Sequence, residues 1–456
     1  MTVARQLATF LTETKTADLP EQALDYAAMV IASTLASAAC GTKIESARII
    51  RAMAQERGGR GDAAVWFEAG EKLPVAGAIQ ANAVLSDSAA SDDSDLRNIV
   101  HAGTPLTAAA LAFAEREAAN GEAVLTAIVL GYEAAGRISE AITPGFKERG
   151  FHGCLGAAFA SAGASARMLR LDAEQTAQTI ALTAVSIGGL ATAADTSFSR
   201  EYHAGLAAVH GANAALAARR GFTGEPRILE ARRGFFEAFG GIDGASAGAI
   251  ATRDMGQTWD IMTDMAIKLV PGGHTYHAIA EAAGNATRDS GIMPEQIASI
   301  TIHQPGMTAL RGPMHPANLI DMAHSPAYFA AAGAADRGLS WVHASAAKIA
   351  DPIIHGLIDK VGVGAEPTEN LHRYRQGAAV TIATLDGRTI MRTVFEPKGS
   401  AALGISWDDI DAKYRALMPA SGLPEREIEL SLALIHDFRH LTDISRLTSL
   451  LRVATD

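Results

Sequence analysis

The sequence predicts a mainly α protein with a smaller α+β domain, and three observations carry that reading. Alanine and glycine abound while aromatic residues make up only 5%, a composition that favours close helix–helix approach on small side chains. Apolar residues recur at helical spacing through the first half of the chain, and strand-like alternation begins only after the glycine and proline cluster at 270–273. At 456 residues the chain exceeds what one hydrophobic core usually organises, so two domains are expected.

Taken in order, helical spacing marks 21–38 and 43–56, the latter closed by Gly58-Gly59, then an extended piece at 63–67 and a helix over 74–85. Further helices follow at 106–118 and 121–139. The glycine-spaced loop 150–156 opens a helix at 157–169, and 173–189 is another built on small residues. Residues 194–202 read as a loop that delivers Arg200, Glu201 and His203 to a helix at 204–219. Beyond 273, residues 298–304 alternate as a strand ended by Pro305, and Asp386-Gly387 joins 378–385 to 388–395 as a hairpin. Helices at 327–336 and 347–360 complete an α+β unit. After Gly399 the helices 407–418 and 427–452 are expected to return to the first domain.

A net charge of −11, from 39 Lys+Arg against 50 Asp+Glu, opposes binding to a polyphosphate backbone or an anionic bilayer. No nucleic-acid or membrane partner is expected. The first residues lack a long apolar core with a small-residue cleavage site, and the run 27–40 is short and broken by Ser and Thr, so a cytoplasmic location is expected. Cys40 and Cys154 are too few for a disulfide framework or for thiolate ligation of an iron–sulfur cluster.

Chemistry collects in Ser91-Asp92-Asp93-Ser94-Asp95-Leu96-Arg97-Asn98-Ile99-Val100-His101-Ala102-Gly103, which places three carboxylates, an arginine and a histidine between two apolar helices. By residue type it is either a general acid–base site, with carboxylates orienting His101, or a solvated helix entrance with Asp caps. His152, at a helix N-terminus that would attract an anionic ligand, is a second candidate, the alternative being a histidine packed in a tight turn. Arg200, one turn before His203, and Lys268, ahead of Pro271-Gly272-Gly273-His274, suit carboxylate binding, although each alone is more often a surface charge. His274 and His277 have no third ligand at recognisable spacing, so no metal site is expected there. Gly244-Ala245-Ser246-Ala247-Gly248 matches a nucleophile-elbow pattern without its preceding strand and reads as a flexible loop. No phosphate or dinucleotide fingerprint occurs in a strand–turn–helix context, so no nucleotide cofactor is indicated.

Together these segments resemble the MmgE/PrpD family, which includes 2-methylcitrate dehydratases, cis-aconitate decarboxylases and iminodisuccinate epimerases. The resemblance rests on the Asp-rich loop 92–103, Gly131-Tyr132-Glu133, Phe151-His152, Arg200-Glu201-Tyr202-His203-Ala204-Gly205, Gly221-Phe222-Thr223-Gly224 and the turn 268–277, in that order along nearly the whole chain. It implies a large all-helical domain (1–266 plus 398–456), an inserted smaller α+β lid domain (267–397), a site in the cleft and a homodimer. It also implies a metal-independent, cofactor-free lyase, a dehydratase or decarboxylase, that takes a proton next to a carboxylate of a small di- or tricarboxylic acid. His101, His152 and Asp93 would be catalytic, with Asp93 orienting its histidine. Asp95, Arg200, Lys268 and His274 would bind substrate. The alternatives are an epimerase using the same two bases, or a non-catalytic helical binding protein.

The chain departs from the family pattern in three places. It carries Asp95 beyond Asp92-Asp93-Ser94, Arg200 where relatives have Lys, and His101-Ala102-Gly103 in place of His-Pro. Arginine is a permanent cation, so position 200 is expected to bind rather than to exchange a proton. The extra carboxylate at Asp95 suggests a substrate with fewer carboxylates than a tricarboxylate, or one bearing an amine or hydroxyl.

Overall fold

The computed structural model describes residues 1–453 except Ser186 and Phe198, with the side chains of 194–196 also outside the description. Helices account for 59% of the structure, and the chain separates into two compact units, Met1–Ile267 with the segment from Ile405 onward, and Lys268–Gly404.

Small residues let the helices of the first unit approach closely. Glu21–Gly41, Val75–Asp87, Gly103–Glu117, Gly121–Ala141, Cys154–Met168 and Ser199–Arg219 pack through faces dominated by Ala, Gly and Ser, most of them buried. Glu21–Gly41 is long and apolar enough to cross a membrane by length and composition, yet 89% of its apolar window is buried inside the protein, as in a core helix. The C-terminal helices Trp407–Leu417 and Glu425–His436 belong to the same unit.

The first unit is not all-helical. Asp93–Asp95 pairs antiparallel with Met265–Ile267, Asp93 opposite Ile267 and Asp95 opposite Met265. An Asp-Ser-Asp strand has no apolar alternation and its partner is remote in sequence, so neither strand leaves a periodic signal. Other expectations also change. The segment around 194–202 is not a loop: a helix covers Ala191–Thr196 and the next begins at Ser199, so Arg200 and His203 stand on the helix itself. The expected flexible loop at 244–248 is the helix Gly244–Thr252, nucleated by Asp243, whose carboxylate accepts from the Ala245 and Ser246 amides.

In the second unit a four-stranded sheet runs in the order Val361–Val363, Ile297–His303, Ala378–Thr384, Thr389–Val394. The last three are antiparallel neighbours; Val361–Val363 lies parallel to Ile297–His303 and is too short to show a pattern. Gly387, at φ 87, closes the expected hairpin. The helices His274–Ser290 and Pro326–Asp336 share a core with Ile300, Ile302, Val380 and Ile382 of the sheet. The single helix expected at 347–360 is two, Ala346–Ile349 and Pro352–Ile358, because Pro352 cannot continue the first and instead starts the second behind the cap Asp351. The helix expected at 427–452 is likewise divided into Glu425–His436 and Ser445–Leu450.

Candidate functional site

The 91–103 stretch is folded back on itself. Asp95 N–H donates to the Val100 carbonyl at 2.8 Å and Ile99 N–H to the Asp95 carbonyl at 2.7 Å. Ile99 adopts φ 54 to make that turn, a conformation a β-branched residue takes only where its surroundings impose it. The turn carries His101 back over the start of the loop.

There His101 Nδ1 lies 2.7 Å from the Asp93 carbonyl oxygen and 2.9 Å from Asp92 Oδ2. Both are acceptors, so Nδ1 carries the proton and Nε2 is the basic nitrogen. The carboxylate that serves His101 is therefore that of Asp92, a residue outside the expected set. Asp93, expected to orient the histidine through its carboxylate, does so through its backbone. Alternation explains the exchange: Asp92 and Ser94 face His101, Ser94 Oγ at 3.4 Å from Nδ1, while Asp93 and Asp95 turn away.

The Asp93 side chain instead accepts from the Gly103 amide at 2.9 Å and from the Tyr132 hydroxyl at 3.0 Å, capping the helix Gly103–Glu117 from a position ten residues upstream. Gly103 is required by that approach, since a Cβ there would lie 2.5 Å from Asp93 Oδ1. Burial, with Asp92 adding to it, pushes the Asp93 carboxyl up to about 6 against the pull of His101, Tyr132 and Gly103. Lys413, buried on the C-terminal helix Trp407–Leu417, anchors the beginning of the stretch by donating to Ser33 Oγ at 2.7 Å and to the Ser91 carbonyl.

Asp95 is fully buried among charges of its own. Its Oδ1 accepts from the Arg97 amide at 2.9 Å, and the Arg97 guanidinium also meets Asp260 at 2.8 Å, Glu140 at 2.9 Å and Asp264 at 3.8 Å. Burial is the largest cause that lifts the Asp95 carboxyl to about 7, with Arg97 opposing and Asp264 and Asp260 reinforcing. Asp95, expected to bind substrate, is fully buried here and fixes the turn through the Arg97 amide. Glu133, from the Gly-Tyr-Glu segment, joins the same network through Arg137 Nε at 2.7 Å and the Asp260 amide.

His152 precedes the helix Cys154–Met168, tied to the neighbouring loop by its own amide, which donates to the Gly189 carbonyl at 3.1 Å. The Cys154 amide donates to His152 Nδ1 at 3.2 Å, so Nδ1 holds the lone pair and the neutral ring carries its proton on Nε2. The imidazoles of His101 and His152 stack with centroids 6.5 Å apart and planes inclined by 21°, and His203 follows 5.5 Å from His152. His101 and His152 are thus adjacent rings held in opposite tautomers, one presenting a basic nitrogen and the other an N–H.

Arg200 opens the helix Ser199–Arg219 and is directed inward, Nε at 3.2 Å from Asp87 Oδ2 and Nη2 at 2.6 Å from the Asp87 carbonyl, with Glu201 at 3.6 Å. An internal carboxylate occupies the fork that was expected to grip substrate. Burial, opposed by Arg200, raises the Glu201 carboxyl to about 7. Lys268 and His274 belong to the second unit. Lys268 begins it directly after Met265–Ile267 and is 1% exposed; His274, also buried, starts the helix His274–Ser290 with its ring 4.7 Å from that of His277.

Two cis-aconitate decarboxylases align with this chain, one of them along nearly its full length. The cis-aconitate decarboxylase of Homo sapiens is 25% identical over 466 aligned positions, covering 99% of this chain and 94% of the relative. That of Mus musculus is 25% identical over 362, covering 76% and 72%. Residues 5–246 match the MmgE/PrpD N-terminal domain and 271–435 the MmgE/PrpD C-terminal domain, and the chain belongs to the MmgE/PrpD family.

Proposed function

We propose that this chain is a lyase that removes carbon dioxide or water from a small di- or tricarboxylic acid by proton transfer between His101, His152 and a carbon next to a carboxylate. The observation that carries the reading is the pair of opposite tautomers, which supplies a base and an acid side by side without any prior proton exchange between them. For loss of water, His101 Nε2 takes the carbon-bound proton, the electron pair forms the double bond, and His152 Nε2–H protonates the departing hydroxyl. For loss of carbon dioxide, the pair left on carbon is quenched by the His152 proton. In the loss of water Asp92 stabilises the His101 imidazolium. Neither route calls on a metal or an organic cofactor.

Lys268 and the N-terminal end of His274–Ser290, where His274 sits, are our proposed carboxylate-binding groups, as a point charge and as a helix terminus with no acidic residue in its first turn. Arg200 is assigned to positioning, through Asp87. The names of the relatives make cis-aconitate the first compound to try.

The test is turnover of a panel of di- and tricarboxylic acids, cis-aconitate included, followed by proton NMR in D2O for the parent, His101→Gln and His152→Gln. Each variant is expected to lose about 10²- to 10⁴-fold in kcat, the range of positioned acid–base groups. Turnover within a few-fold of the parent in both variants would remove the assignment, and deuterium entering the α-carbon with no net elimination would select epimerisation.

A further inference from the structure

The two helix starts that bring His152 and His203 together also enclose the only buried thiol of the described residues, and no step above uses it. Cys154 Sγ, one ring nitrogen of His152 and one of His203 all lie within 4.8 Å of one another. His203 Nδ1 is buried and has no hydrogen-bond partner. The wall opposite is the 188–189 backbone: the thiol donates to the Gly188 carbonyl at 3.4 Å, and a Cβ on Gly189 would stand 2.1 Å from Sγ and 3.7 Å from His203 Nδ1. Glycine at 189 therefore keeps open the space between sulfur and imidazole. The side chains of both histidines are only partly buried.

From this geometry we infer a Cys154–His152–His203 site for a thiophilic divalent cation such as Zn²⁺, which would switch the enzyme off by engaging His152. One thiolate and two imidazoles are the donor set that such an ion selects, and carboxylate-preferring Mg²⁺ or Ca²⁺ would be refused. Tetrahedral Zn–S and Zn–N bonds place neighbouring donors roughly 3.3–3.6 Å apart, so closure needs about 1 Å of imidazole movement in side chains that are not fully packed. On coordination the thiol releases its proton to solvent and the sulfur pair forms the bond to the metal. A fourth position would be left to water. The inhibitory consequence rests on the reading that His152 moves a proton in the reaction; the binding does not.

Co²⁺ is the probe, because a cobalt–thiolate bond gives a near-ultraviolet charge-transfer band that imidazole alone does not. The intact parent chain is expected to develop that band at one Co²⁺ per chain, Cys40→Ala to keep it, Cys154→Ala to lose it, and His203→Gln to bind at least about tenfold more weakly, since each ligand carries a large part of such affinities. Zn²⁺ should inhibit the parent and Cys40→Ala at stoichiometric occupancy, and Cys154→Ala only at tenfold or higher concentrations. Absence of the band in the parent, or its persistence in Cys154→Ala, would overturn the site. A band with unchanged turnover would overturn the inhibition and count against His152 as the proton donor. Should the cysteine variant misfold, His203→Gln, at a partly exposed position, decides the matter: cobalt affinity equal to the parent's would overturn the site.

Discussion

The Nδ1 of His101 stands 2.9 Å from the carboxylate of Asp92, while Asp93, the neighbour that the family resemblance favours, gives the histidine only its backbone oxygen. The Asp93 carbonyl accepts the Nδ1 proton and fixes the tautomer, and the Asp92 carboxylate beside it supplies the charge. Asp92→Asn would remove the charge that supports the imidazolium but leave the Asp93 carbonyl to hold the ring. The expected loss in kcat is therefore about 10²-fold, the low end of the range for positioned acid–base groups, with KM little changed. Steady-state kinetics checks it; an effect confined to KM would place Asp92 among the substrate contacts instead.

Asp93 makes a different prediction, in stability. Its folded-state carboxyl titrates at about 6 against an ordinary value of 3.8, so between those values the folded protein holds a proton that the unfolded chain has released. The native state thus loses stability as pH rises through about 4 to 6, and the contribution is level above that window. Asp93→Asn lacks this titration. Its stability relative to the parent should rise with pH across the window, as read by urea unfolding at a series of pH values; a fall would contradict the burial assigned to Asp93.

Asp95 and Arg97 supply a third test. Removing the guanidinium leaves Asp95 and Asp260 buried without their cation, and Arg97→Ala is expected to cost about 3 kcal/mol, the lower end for breaking a buried pair because Arg97 is partly exposed. Adding Asp95→Asn should recover part of that loss. Asp95→Asn alone should leave KM unchanged, whereas a large rise in KM would restore Asp95 to the substrate-binding set.

Gly103→Ala tests the close approach beneath the site. The added methyl would press on Asp93 Oδ1 and on Val30 Cγ1, 2.9 Å away, and should destabilise by about 1–3 kcal/mol, as overpacking of a tight interior does. Unfolding midpoints with unchanged denaturant slope would measure it, and a neutral result would show that the cap can relax.

Much of this fold could be read from the chain. Long buried helices such as Gly121–Ala141 announce themselves by apolar spacing and an Asn cap, and Asp386-Gly387 marks its hairpin. What was not legible depends on contacts between remote residues. Nothing near position 93 indicates pairing with 267, and nothing near 413 indicates a lysine beneath Ser91. In the site, residue types pointed to the 92–103 stretch and to His152, but the choice between Asp92 and Asp93 rests on which way an extended segment faces, and one residue of register reverses it. The cation at position 200 was visible; its engagement by Asp87 was not, since that carboxylate lies at the end of a different helix. The Cys154–His203 proximity had no sequence signal at all, because a cysteine and histidine about fifty residues apart match no ligand spacing.

The opposite protonation of His101 and His152 underlies the whole proposed reaction, and nitrogen-15 NMR of the imidazole rings reads it directly. At a pH where both are neutral, His101 should show its proton on Nδ1 and His152 on Nε2. Finding both rings in the same tautomer would contradict the assignment of His101 as base and His152 as proton donor.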